Sequence, residues 1–327
     1  MKNQWKKFSF AIALCAIFVA IIGVIGGRLN DVKLLADQGA SWYLWKLPEK
    51  EVIPRLTAWG GYLAHQIIIW ILIYRAQFKD KKKMKKYINL MIIINILFIA
   101  LHIVQTHLWY DGLAQDMPIL TSQGSVIIML VLVLAMEVQK RGLFFGKKIK
   151  KLPIIGDISS PVDFIKKYHG YVFSWAIIYT FWFHPAISTS GHLVGFFYLF
   201  LLFVQMCFMY TPIHRNKYWT FALEVMVLFH GTMVAINQGN NMWPMFMFGF
   251  ASLVVITQLY GLELKKWIRR SIQIVYIVGV IIVFGGFTGH REIYEIHQIL
   301  WIPIIEYLLV FVFIYLIAIV QKISKRS

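Results

Sequence analysis

The chain has 327 residues, of which 59% are hydrophobic and only 15% charged, and its formal net charge is +18. A soluble domain holds about 45–50% apolar and about 25% charged residues, so the excess apolar surface here has to face lipid. That hydropathy excludes reading the positive charge as a nucleic-acid footprint. Basic residues gathered in the cytoplasmic loops of a membrane protein account for it instead.

A helix that crosses a bilayer needs about 20 mostly apolar residues. Ten runs meet that need, at 8–26, 57–74, 87–108, 121–138, 168–187, 192–211, 217–236, 244–262, 271–288 and 298–320. The first follows MKNQWKK and exceeds the roughly 7–15 residues of a signal-peptide core, so it is expected to stay as an anchor. Between the runs, one set of loops (the N-terminus, 75–86, 139–167, 212–217, 263–270 and the C-terminus) holds 27 of the 33 Lys and Arg residues. The other set holds only Arg28, Lys33, Lys46, Lys50, Arg55 and Arg291. The alternation predicts that the first set is cytoplasmic, with both termini on that side.

The expectation is an all-α, polytopic integral membrane helical bundle of about ten spans. It forms one transmembrane domain over 1–327, with N and C termini cytoplasmic and the lipid bilayer as its standing partner. The charge asymmetry suits a multi-pass protein of a bacterial cytoplasmic membrane. Loop 139–167 carries Pro and Gly turns with room for a short interfacial helix. Loop 27–56 has room for a short amphipathic helix, with Trp42, Tyr43 and Trp45 at headgroup level. Both cysteines, Cys15 and Cys207, lie inside apolar runs and imply no disulfide framework.

The polar residues are distributed unevenly. With this orientation His102, His107, His184, His192 and His230 fall toward the outer side, and His65 sits somewhat deeper. His169 and His214 lie near the cytoplasm, and His290 and His297 belong to the last outer loop. The stretch HIVQTHLWYDGLAQD (102–116) is too polar for an ordinary helix end. Ionisable side chains inside a bilayer are costly and point to function. A lone histidine there also serves as a hydrogen-bond partner between helices, and a charge run such as 81–86 serves as a topology signal. Glu224, inside FALEVMVLFH, reads equally as a proton relay or as a structural hydrogen-bonding group. Glu306 follows Pro303 near the outer headgroups.

Three functions use these residues. In the first, two haem b groups stack across the membrane between imidazole ligands. His169 and His184 are 15 residues apart, about 22 Å along a helix, and His214 and His230 are 16 apart, about 24 Å. His169 then matches His214 in depth, and His184 matches His230. Paired histidines on alternate helices, with the helix end FWFHP (181–185), are similar to the arrangement in ferric reductases and NADPH oxidases. The resemblance covers about seventy residues and implies electron transfer across the membrane. Its ligand spacing here is longer than the family's, and the family's flavin and nicotinamide domains have no counterpart in the sequence. A membrane quinol or a separate cytoplasmic flavoprotein would supply the electrons.

The second reading is a metal-dependent enzyme with an outward-facing His/Asp site acting on a lipid or small substrate. His184, His192 and His230 converge if the loop HPAISTSGH is short, and His65, His102, His107 or Asp111 complete an N/O ligand set for Zn or Fe. Asp111 and Glu224 are the candidate catalytic acids. No HExxH motif or nucleophile elbow is present. The third reading is a proton-coupled transporter using Glu224 and the buried histidines.

Overall fold

The computed structural model describes residues 2–324 apart from 30, 40, 41, 50, 80–82, 240 and 290, with side chains from residue 4 onward. His290 and Asn240 lie outside the described residues. The structure is 76% helical, with ten α-helices among the described residues. These are α1 (Lys2–Ile25), α2 (Val52–Tyr74), α3 (Met84–Trp109), α4 (Ile119–Glu137), α5 (Ser159–Phe183), α6 (Ser190–Cys207), α7 (Lys217–Asn237), α8 (Trp243–Ile256), α9 (Lys266–Phe284) and α10 (Trp301–Ser324). Among the described residues nine helical segments are long and apolar enough to cross a membrane; α5 is not one of them, and α8 reaches that length only with the 3-10 turn that follows it, over Trp243–Gly261. The chain is a multi-pass membrane protein.

Helix α5 departs most from the sequence expectation. It begins at Ser159, nine residues before the expected start of the 168–187 run, and it ends at Phe183. The interfacial helix expected inside 139–167 is thus the first part of α5, where Asp163, Lys166 and Lys167 are exposed and Val162 and Ile165 buried. The end is set by Pro185, whose ring disfavours helical backbone at His184. A short antiparallel hairpin, β1 (Lys151–Leu152) with β2 (Gly156–Asp157), fills the preceding loop. The amphipathic helix expected in 27–56 does not form. Beyond a 3-10 turn at Gly26–Leu29, the described residues up to Glu51 are irregular.

Two compact units are present: Met1–Ile128 with Gly170–Arg215, and Met129–His169 with Asn216–Ser327. In the first unit the C-terminal part of α5 and most of α6 are buried, and Phe181 lies 5.2–6.2 Å from the rings of Phe196, Phe200 and Phe203. In lipid, association of helices rests on packing rather than on exclusion of water, so small residues at contacts matter. Gly61 shows why: a Cβ there would lie 2.3 Å from the Trp182 ring. In the second unit the 138–149 segment folds back. Phe145 N donates to Ile256 O at 2.9 Å, and Thr257 Oγ1 donates to Leu143 O. Phe248, Val280, Phe284 and Ile299 form the apolar core beneath.

Candidate functional site

The first unit gathers its histidines through α3. Asn95, Phe98, His102 and Thr106 recur at helical spacing and are all buried, so they line one stripe of the helix. Two residues of that stripe fasten the chain just beyond α5. His102 Nε2 donates to the His184 carbonyl at 2.8 Å, and Ala186 N donates to Thr106 Oγ1 at 3.0 Å. Because a carbonyl only accepts, His102 is the Nε2–H tautomer. Its ring packs on Phe181 and Trp182 at 4.7 and 4.6 Å. His65, on α2, is fully buried, pairs with Asn95 Oδ1 at 2.9 Å and stacks on Phe98 at 4.3 Å. His102 and His65 therefore act on the frame of the site.

With its backbone held, His184 presents its ring to three groups. Tyr43 Oη lies 3.1 Å from His184 Nδ1, and the His192 ring centroid lies 5.5 Å from that of His184. Phe183 backs the ring at 5.0 Å. His184 is half-buried, whereas Tyr43 is 1% exposed. Burial, reinforced by nearby Tyr110, pushes the Tyr43 phenol well above its usual range. Tyr43 thus stays a neutral phenol, and where it donates to Nδ1 the His184 proton lies on Nε2.

His192 is placed by the N-terminus of α6. Thr189 is the N-cap and its Oγ1 accepts from His192 N, while the same hydroxyl lies 2.7 Å from His192 Nδ1. Trp45 meets the His192 ring edge-on at 4.4 Å. Tyr43 and Trp45 arrive together on a strap anchored by Gln115: Gln115 Nε2 donates to Trp45 O and Leu47 N donates to Gln115 Oε1, both at 2.9 Å. Beside this lies an ionic group. Arg55 meets Asp111 at 3.5 Å and pairs with Asp116, which accepts from Trp59 Nε1 at 2.8 Å.

Compared with models of known protein families, with curated proteins and with solved structures, the chain matches none.

His65, His102, His184, His192 and Asp111 thus fall in one unit, and His184 with His192 come together. His107 also lies in that unit but turns its Nδ1 to Ile103 O at 2.8 Å. His230 belongs to the other unit, on α7, as does His169. Among the described residues no three or more His, Cys, Asp and Glu side chains are placed to hold a metal ion. His169 Nδ1 donates to Lys166 O at 2.7 Å, and His214 Nδ1 donates to Gln205 O at 3.0 Å.

Glu224 does not stand alone. Arg141 Nη1 donates to both of its oxygens, at 3.0 and 2.8 Å, and both side chains are buried. Several residues in these contacts carried no functional weight in the sequence. Tyr43, expected at headgroup level, is buried within the protein against Trp45, Phe183 and His184. Thr189 had a visible signal, since T-S-G-H ahead of an apolar run is an N-cap pattern. Asn95 and Arg141 had none beyond their polarity.

Proposed function

We propose that the first unit is a membrane-embedded enzyme site in which His184 is the general acid–base group, acting on a small or lipid-linked substrate. The observation that carries this reading is the Tyr43–His184 contact at 3.1 Å beside the His192 ring. A base oriented by a third group and placed beside a second titratable ring is the arrangement that proton-transfer chemistry requires. His184 is half-buried, which leaves part of its side chain open to a substrate, whereas His192, 7% exposed, is held by Thr189 as a fixed partner. The earlier orientation would set this site on the outer side, within reach of the outer leaflet. Asp111 serves the site by holding Arg55. Zinc or iron would need a ligand set wider than the paired histidines, so the chemistry is assigned to the side chains themselves.

The reading is tested by mass spectrometry of membrane and envelope extracts from cells producing the wild-type chain or His184→Ala at equal membrane levels. A species whose abundance depends on wild-type His184 supports it. Identical extracts from the two would overturn it.

A second reading is b-type haem electron transfer; His214 in the first unit and His169 in the second each turn Nδ1 to a backbone carbonyl, of Gln205 and Lys166. Ligating histidines commonly make this contact, which turns Nε2 toward a metal. A Soret band with sharp reduced α and β bands in the purified protein would establish this reading. A featureless visible spectrum would remove it.

A further inference from the structure

We propose that Glu306, in the second unit, is a proton-binding site: it is held as a neutral carboxylic acid and exchanges its proton from within a membrane-crossing helix. Glu306 lies on the buried stripe of α10, with Pro303, Tyr307, Val310 and Ile314, in a helix long and apolar enough to span a bilayer. It is 3% exposed, and its Oε2 is buried without a hydrogen-bond partner.

Among the described residues, the surrounding groups leave it no counter-charge. Arg141, a buried cation of this unit, pairs with Glu224. Tyr307 is within electrostatic reach of both Arg141 and Glu306. Its hydroxyl is spent elsewhere, because Thr257 Oγ1 gives its single proton to Leu143 O and must accept from Tyr307 Oη at 2.7 Å. Helix α8, packed against α10, carries no ionisable side chain at all. In the 3-10 segment Ile293–Leu300, Glu295 pairs with Arg291, and His297 Nδ1 donates to Tyr294 O.

A carboxylate in such surroundings would bear the cost of a buried, unpaired charge, whereas the protonated acid does not. The contrast with Glu224 is internal to the unit: one acid is compensated by a guanidinium, the other by a proton. The exchange is a simple equilibrium in which the carboxyl O–H breaks, the electron pair stays on oxygen and the proton leaves to water. This inference rests on the second unit and stands apart from the His184 reading.

The test is infrared spectroscopy of the purified full-length protein at neutral pH. The difference spectrum of wild type minus Glu306→Gln should show the loss of one protonated-carboxyl C=O stretch. That band should move on transfer to deuterated water and should survive in Glu224→Gln. Glu306→Asp, which keeps the acid, should retain a shifted band and guards against a folding defect in the Gln variant. An ionised-carboxylate signal in the difference spectrum, or a band that does not respond to deuterium, would overturn the proposal.

Discussion

Arg141 is the residue whose role was least visible beforehand. In the sequence it is one of many basic residues in a loop, and its burial follows only from the chain folding back at 138–149 toward α7 and α8. Removing one member of a buried ion pair leaves an uncompensated charge, which typically costs about 3–5 kcal/mol. Arg141→Met is therefore expected to lower stability by about that amount, read as a reduced denaturation midpoint in detergent. The double variant Arg141→Met with Glu224→Gln should recover much of the loss. The same comparison explains why Glu224 was legible only halfway. Its position inside an apolar run marked it as unusual, but the choice between relay and ion pair depended on a partner 83 positions away. The burial of Tyr43 was not legible for a similar reason. An aromatic cluster beside a span normally sits at the headgroups, and its packing against protein follows from a strap that Gln115 holds at Trp45 and Leu47.

Among the helices, α5 teaches the most. Its hydropathy is diluted by Tyr, Trp, Ser, Thr and Gly because its C-terminal part faces protein rather than lipid, so the same helix is central to the first unit and weakest as a span. Periodicity could not locate its start, since the amphipathic turns before Tyr168 continue it without a break. Its end was legible in Pro185. The contact of α5 with α2 depends on Gly61, where any Cβ meets the Trp182 ring. Gly61→Ala forces that ring or the helix aside, at a cost of about 1–3 kcal/mol for overpacking. Thermal unfolding in detergent should show the loss. Gly60→Ala, with open space around it, should leave the midpoint nearly unchanged.

Across the chain, the lengths of the apolar runs carried most of the helix pattern, and each expected run corresponds to an observed helix. The division into two compact units was not legible, because it depends on which helices pack together and not on any break in hydropathy. The orientation remains an expectation with a direct check. In a background where Cys15 and Cys207 are replaced by Ser, single cysteines at Leu34 and Lys147 should react with an impermeant thiol reagent from opposite sides. Position 147 should be reached only from the cytoplasm.

The functional account depends on Tyr43 holding His184 beside His192. Nitrogen-15 NMR of histidine-labelled protein reads that contact directly. The account predicts that His184 populates the Nε2–H tautomer, with Nδ1 in a hydrogen-bonded acceptor environment that disappears in Tyr43→Phe. A His184 signal that is unchanged by Tyr43→Phe, or that averages between tautomers as a free imidazole does, would contradict it.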